Sequence, residues 1–173
     1  MPDSALSQAL REAYAAAPTD EVILHTLEFN HPAFTVPIRV VRDHADLVAT
    51  LEAGAPINPG QPVTFTAYAF DFDLPQVDGP APEIQITIDN VSREITRNIE
   101  AAAISGQALT VIYRPFLSTD LTAPQMNPPL HLTVTSIEAD QYTVTARAQF
   151  RDVGNKRFPG EDYTGDRFPG LVA

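Results

Sequence analysis

Two aspartates two residues apart, Asp71 and Asp73, with Asp78 close behind, are the first residues here whose spacing could do chemistry. On a strand, Asp71 and Asp73 point the same way and could offer oxygens to a hard cation. A calcium site, however, needs about six to eight oxygens and a glycine-shaped loop. Phe70, Phe72, Leu74 and Pro75 crowd this stretch instead, so it reads as an acidic strand end. A carboxylate pair held ~5–10 Å apart could also hydrolyse a glycoside. Among 22 acidic residues some pair meets that spacing by chance, and no tryptophan offers a sugar platform. A small acid-pair hydrolase is therefore the last of the readings to be kept.

Other catalytic patterns are missing from the sequence. His25, His31, His44 and His131 are scattered, without the His-x-His or His-Glu-x-x-His spacing of a zinc site, and read as surface or strand-edge residues. No serine lies in Gly-x-Ser-x-Gly, and no glycine-rich loop resembles a phosphate cradle. The absence of cysteine removes disulfides, thiolate nucleophiles and cysteine metal sites together. The expectation is a protein that is not an enzyme and uses no cofactor.

Composition narrows the partners. With 44% hydrophobic and 19% charged residues, the 173-residue chain has the make-up of one folded domain. Eleven basic residues against 22 acidic ones leave a formal charge of −11, and Lys156 is the only lysine. Such a surface repels phosphate backbones, whose binding depends on cations. No run of eighteen apolar residues occurs, and the opening MPDSALSQALREAYAAAP lacks the pattern of a signal peptide. Synthesis in the cytoplasm without membrane insertion is expected.

The period of the apolar residues changes along the chain. Residues 1–20 form an N-terminal unit, with a helix over Asp3 to Ala17 carrying Ala5, Leu6, Ala9, Leu10, Ala13 and Tyr14 on one face and capped by Asp3 or Ser4. From residue 21 the period is two. Val22–Phe29 and Phe34–Arg42 read as paired strands broken at Asn30-His31-Pro32, and Val63–Phe72 as one strand with large apolar groups on both faces. Ile84, Ile86 and Ile88 mark a half-buried strand, and a helix capped at residues 89–92 follows, with Ile95 and Ile99 on its inner face. Leu109–Tyr113 is another strand. Leu130–Ile137 and Tyr142–Phe150 form a hairpin across a four-residue connection.

The fold class expected is mainly β, an antiparallel β-barrel or split barrel with one internal helix and an N-terminal helix, spanning 21–156. Between its strands the sixteen prolines gather in loops. One, at 115–129, reads as an extended proline-rich arm whose Phe116, Leu117 and Met126 are candidates for subunit contact.

The order of pieces, with Pro37-x-Arg39-Val40-Val41 and Asp43, Tyr68-x-Phe70-Asp71 to Pro75, Ile88-Asp89-Asn90 and the closing Phe168-Pro169-Gly170-Leu171, resembles a family of small tail-tip proteins of tailed phages and prophages. More distantly it is similar to distal tail proteins and to the N-terminal hub part of the lambda minor tail protein L. The resemblance implies a virion protein assembled as a ring at the tail tip. That ring would hold six copies in the distal-tail role or three in the protein L role, and would join the tail tube or distal ring to the central tip protein. DNA would slide through such a ring without specific binding, as an acidic surface favours. Protein L also carries a cysteine-ligated iron–sulfur domain, which cannot be carried over to a chain without cysteine. A monomeric module contacting a receptor or carbohydrate is the alternative.

Residues 157–173 form a C-terminal docking tail in which Arg157-Phe158-Pro159-Gly160 recurs as Arg167-Phe168-Pro169-Gly170. These two knots, with Tyr163 between them and Leu171 after them, have no helical or strand period and cannot form a core by themselves. They need a surface, either on their own domain or on an adjacent subunit.

Overall fold

The structure, a computed structural model, describes residues 6–16, 21–72, 83–89, 98, 102, 106–140 and 143–150. One helix, α1 (Gln8–Ala16), precedes nine strands: β1 (Ile23–Asn30), β2 (Ile38–Val41), β3 (Leu47–Thr50), β4 (Pro62–Ala67), β5 (Phe70–Phe72), β6 (Glu83–Asp89), β7 (Thr110–Leu117), β8 (Leu130–Ala139) and β9 (Thr143–Phe150). They form one sheet in the order β3-β4-β2-β1-β7-β8-β9-β6-β5, antiparallel except between β2 and β4. The fold is therefore mainly β, as expected, and among the described residues the N-terminal helix is the one continuous helix. No helix among the described residues is long and apolar enough to cross a membrane.

The run Val63–Phe72, expected as a single strand, bends at Tyr68-Ala69, and this bend shapes the molecule. The Tyr68 N–H donates to Val41 O of β2 at 3.0 Å, whereas the next residue, Ala69, accepts from Asp89 N of β6 at 2.9 Å. Those two strands are five positions apart in the sheet. On a flat sheet that is ~24 Å, at ~4.8 Å per strand. Consecutive residues can bond to both only if the sheet curls round on itself. No ladder joins β3 to β5, so the pairing is that of an open, curled sheet and not of a closed barrel.

Inside the curl lies one core to which β1, β2, β5, β6, β7, β8 and β9 all contribute, among them Leu27, Val40, Phe70, Ile84, Ile86, Val111, Tyr113, Leu132 and Ala148. Period-two alternation places them there: in β6 Ile84, Ile86 and Ile88 are buried while Gln85 and Asp89 face out. A second apolar layer covers the outer face of β2, β1 and β7. Leu24, Val41 and Phe116 meet Leu47, Ala49, Val63 and Phe65 of the β3–β4 hairpin. Here Phe65 and Phe116 pack edge-to-face with centroids 6.0 Å apart. β3 was not among the strands read from the sequence.

The helix starts later than expected within the described residues. Ser7, not Asp3 or Ser4, is its cap: Ser7 Oγ accepts from the Leu10 N–H at 3.1 Å and donates to Gln125 Oε1 at 2.8 Å. Leu10 and Ala13 then pack on Leu117 and Ile23 at one end of the curl. Ser7→Ala is expected to lower stability by about 0.5–2 kcal/mol in denaturant titration, with the β signal of the circular dichroism spectrum unchanged. Of the internal helix expected after β6, only Asn98 and Ala102 are described; both are helical and Ala102 is buried. The rest of that helix, and the tail from residue 151 onward, lie outside the described residues.

Segment 115–129, expected as an extended arm, folds back on its own body. Its first three residues finish β7. The remainder is tied down by Gln125 N to Pro115 O at 2.8 Å, Thr50 N to Leu121 O at 2.9 Å and Ser7 N to Gln125 O at 2.9 Å. Asp120 organises the turn, accepting from Thr122 N, Thr122 Oγ1 and Gln125 Nε2, and the Thr122 bonds hold its carboxyl below the usual range. Prolines favoured an extended reading, but backbone groups without a ladder must still find partners, and here they find them on the nearest strands.

Candidate interaction site

Of the aspartate pair, only Asp71 is among the described residues. Asp71 lies on β5 with its side chain 78% exposed and pairs with Arg42 at 3.0 Å, a surface ion pair of small energetic weight. Asp73 and Asp78 lie outside the described residues. No cluster of metal-ligating side chains occurs among the described residues. Of the candidate contact residues, Phe116 and Leu117 are fully buried in the chain's own apolar layers, and Met126 is half-buried against the inner core. Arg157, Phe158, Pro159, Tyr163, Arg167, Phe168, Pro169 and Leu171 lie outside the described residues.

What the structure brings together instead is a buried set of charges on the outer face of β2, β1 and β7. Strand register sets it up, since Glu28 stands opposite Arg39 on β2 while Thr26 stands opposite Arg114 on β7. Arg39 Nε donates to Glu28 Oε2 at 2.7 Å, and Asn30 Nδ2 donates to Glu28 Oε1 at 2.8 Å. Arg114 reaches the loop after β3, where its Nε and Nη2 grip the two oxygens of Glu52 at 2.8 and 2.9 Å in a bidentate fork. Its Nη1 lies 3.6 Å from Glu28 Oε2 and has no hydrogen-bond partner among the described residues. Arg39 also donates to Asn58 Oδ1 at 3.0 Å.

Loop 51–61, between β3 and β4, is thereby clamped onto the sheet. Asn58 takes a left-handed backbone (φ 58°), which asparagine tolerates, and Gly60 follows at φ 65°. The Glu52 carbonyl accepts from both Ala55 N and Gly60 N. Burial alone would raise the Glu52 carboxyl, but the Arg114 hydrogen bonds, a backbone hydrogen bond and the nearby charges of Arg114 and His131 together hold it below its usual pKa. Sequence reading missed this set because Glu28 sits inside a β-branched and aromatic run and no charge spacing marks it. The available signal was Glu28 and Arg39 at matched positions of the two strands expected to pair.

Next to the clamp, a groove of about 590 Å³ runs between Pro56 and Ile57 of the loop and the outer faces of β1, β7 and β8, floored by Asn30, Ile112, His131 and Thr133. Asn30 Oδ1 is buried without a hydrogen-bond partner among the described residues. A second cleft, of about 480 Å³, follows the slit where the sheet fails to close, lined by Arg42, His44, Tyr68, Asp71 and Asp89.

His31 and His25 are built into the fold, whereas His44 and His131 are exposed. His31 is 7% exposed; its Nδ1 accepts from Ala33 N and its Nε2 lies 3.3 Å from Gln107 O. His25 Nδ1 lies 2.8 Å from Tyr113 Oη, and Phe72 stacks on Tyr113 with centroids 4.8 Å apart. Burial, and then Arg42, push the His25 pKa down, while burial keeps the Tyr113 phenol protonated. A histidine with a depressed folded pKa takes up its proton more readily unfolded, so its contribution is complete above the unfolded value of ~6.5 and is lost as pH falls through it. Stability from urea titrations is expected to fall between pH 7 and 5 in the parent chain, with His25→Gln flattening that slope. The Glu52 contribution persists to lower pH, lost only as pH falls below the ordinary carboxyl range of ~4.3.

Among known proteins, the model of a family described as a domain of unknown function (DUF1833) matches residues 9–163. No curated protein matches the chain.

Proposed function

The chain belongs to the DUF1833 family, and we propose that it is a structural subunit of a siphophage tail tip, forming a ring that joins the tail tube or distal ring to the central tip protein. The observation that carries this reading is the sheet curled by the Tyr68-Ala69 bend, the barrel-like module that the sequence resemblance implies for such hubs. A buried charge clamp that pins loop 51–61 to the outer face gives the module a second rigid layer. The formal charge of −11 suits a channel past which DNA slides without being held. A ring coaxial with a tube requires closed cyclic symmetry, hence identical contacts repeated around the axis.

Sedimentation of the full chain, alone and with its neighbouring tail proteins, tests this: a species of three or six copies is expected. A persistent monomer that binds glycan or receptor would favour the peripheral binding module, for which the groove beside Pro56 and Ile57 is the supporting observation. For the acid-pair hydrolase, Asp71→Asn with Asp73→Asn is expected to leave assembly and infectivity intact. Normal particles without infectivity would bring chemistry at that pair back.

A further inference from the structure

The groove beside loop 51–61 combines two features that call for an occupant. Ile57, 40% exposed, with Pro56, Ala108 and Ile112, makes an apolar bed. Beside it Asn30 Oδ1 is a buried acceptor lacking a donor among the described residues, which costs stability unless an N–H or O–H group arrives. An occupant with an aromatic-proline body and an N–H-rich head would satisfy both. We propose that this groove seats the first Arg-Phe-Pro-Gly motif of the same chain, residues 157–160.

Chain geometry favours that segment. β9 ends at Phe150, which stands opposite Leu132 of β8, and Leu132, His131 and Thr133 all line the groove. The described chain therefore ends about one strand spacing, ~5 Å, from the groove wall. Eight residues lead from Phe150 to Phe158, a reach of ~26–29 Å when extended, so the motif arrives with slack. The second motif, ten residues further on, closes a longer loop and competes at a lower effective concentration. Phe158 and Pro159 fit the apolar bed, and the fixed φ of proline lowers the entropy lost on docking. Arg157 brings five N–H donors, enough to supply Asn30 Oδ1.

This placement does not depend on the ring, and its test reads it separately. The chain has no cysteine, so a pair introduced into the full-length protein reports proximity without interference. Ile57→Cys with Glu161→Cys leaves the motif whole. Under mild oxidation its intramolecular disulfide is expected to form about 10-fold or more faster than that of Val48→Cys with Glu161→Cys, Val48 being 58% exposed on edge strand β3. Adding Phe158→Ala is expected to erase that advantage, and adding Phe168→Ala to leave it. Equal rates in the two pairs, or an advantage that survives Phe158→Ala, overturn the proposal. Covalent dimers as the main product overturn it as well, placing the motif on a neighbouring copy.

Discussion

Arg114→Ala is expected to destabilise the fold by about 3–5 kcal/mol, the range seen when one partner of a buried ion pair is removed. The Arg114 side chain is fully buried, bonded twice to Glu52 and facing the equally buried Glu28 at 3.6 Å. Without its guanidinium, Glu52 loses both bonds and Glu28 keeps only Arg39 and Asn30. Loop 51–61 would then detach from the sheet, taking the second apolar layer with it. Arg114→Lys should recover part of the loss, since an ammonium keeps the charge but cannot make the planar fork. Denaturant unfolding of the single and double alanine variants at 114 and 52 provides the check. The two single losses should sum to more than the double, because each single variant leaves an uncompensated partner behind.

The second large effect is expected at Phe116. Phe116→Ala should cost about 3–5 kcal/mol, as for other aromatic-to-alanine changes in a packed core. Its ring is fully buried against Phe65 and beside Leu24, so truncation leaves a cavity in the layer between sheet and hairpin. The sequence alone suggested a contact residue on an arm. The two roles separate cleanly: a core role lowers the melting temperature of the isolated chain, whereas a contact role would lower self-association and leave that temperature unchanged. A change confined to association would return Phe116 to the surface.

These two residues also show what was legible beforehand. Strands with strict alternation, such as the one carrying Ile84, Ile86 and Ile88, were readable because one buried face imposes a period of two. The β1–β2 and β8–β9 pairs were readable from their breaks. β3 was not, because Leu47–Thr50 is only four residues long and its apolar content is a single alternation. Arm and strand were confused at Pro115-Phe116-Leu117, since a proline there argued against a ladder although the neighbouring residues remain paired with β1. The bend at Tyr68-Ala69 was invisible because long-range pairing, not local propensity, turns one strand into two. The charge clamp escaped for the same reason: Glu28, Glu52 and Arg114 are far apart in the chain and meet only through strand order.

The central claim, a ring subunit at the tail tip, is tested most directly by a density map of the intact particle made by the genome that encodes this chain. The proposal predicts three or six copies arranged around the tail axis, between the tube and the central tip protein. Particles lacking the chain, or carrying it only at the periphery without cyclic symmetry around the axis, would contradict it.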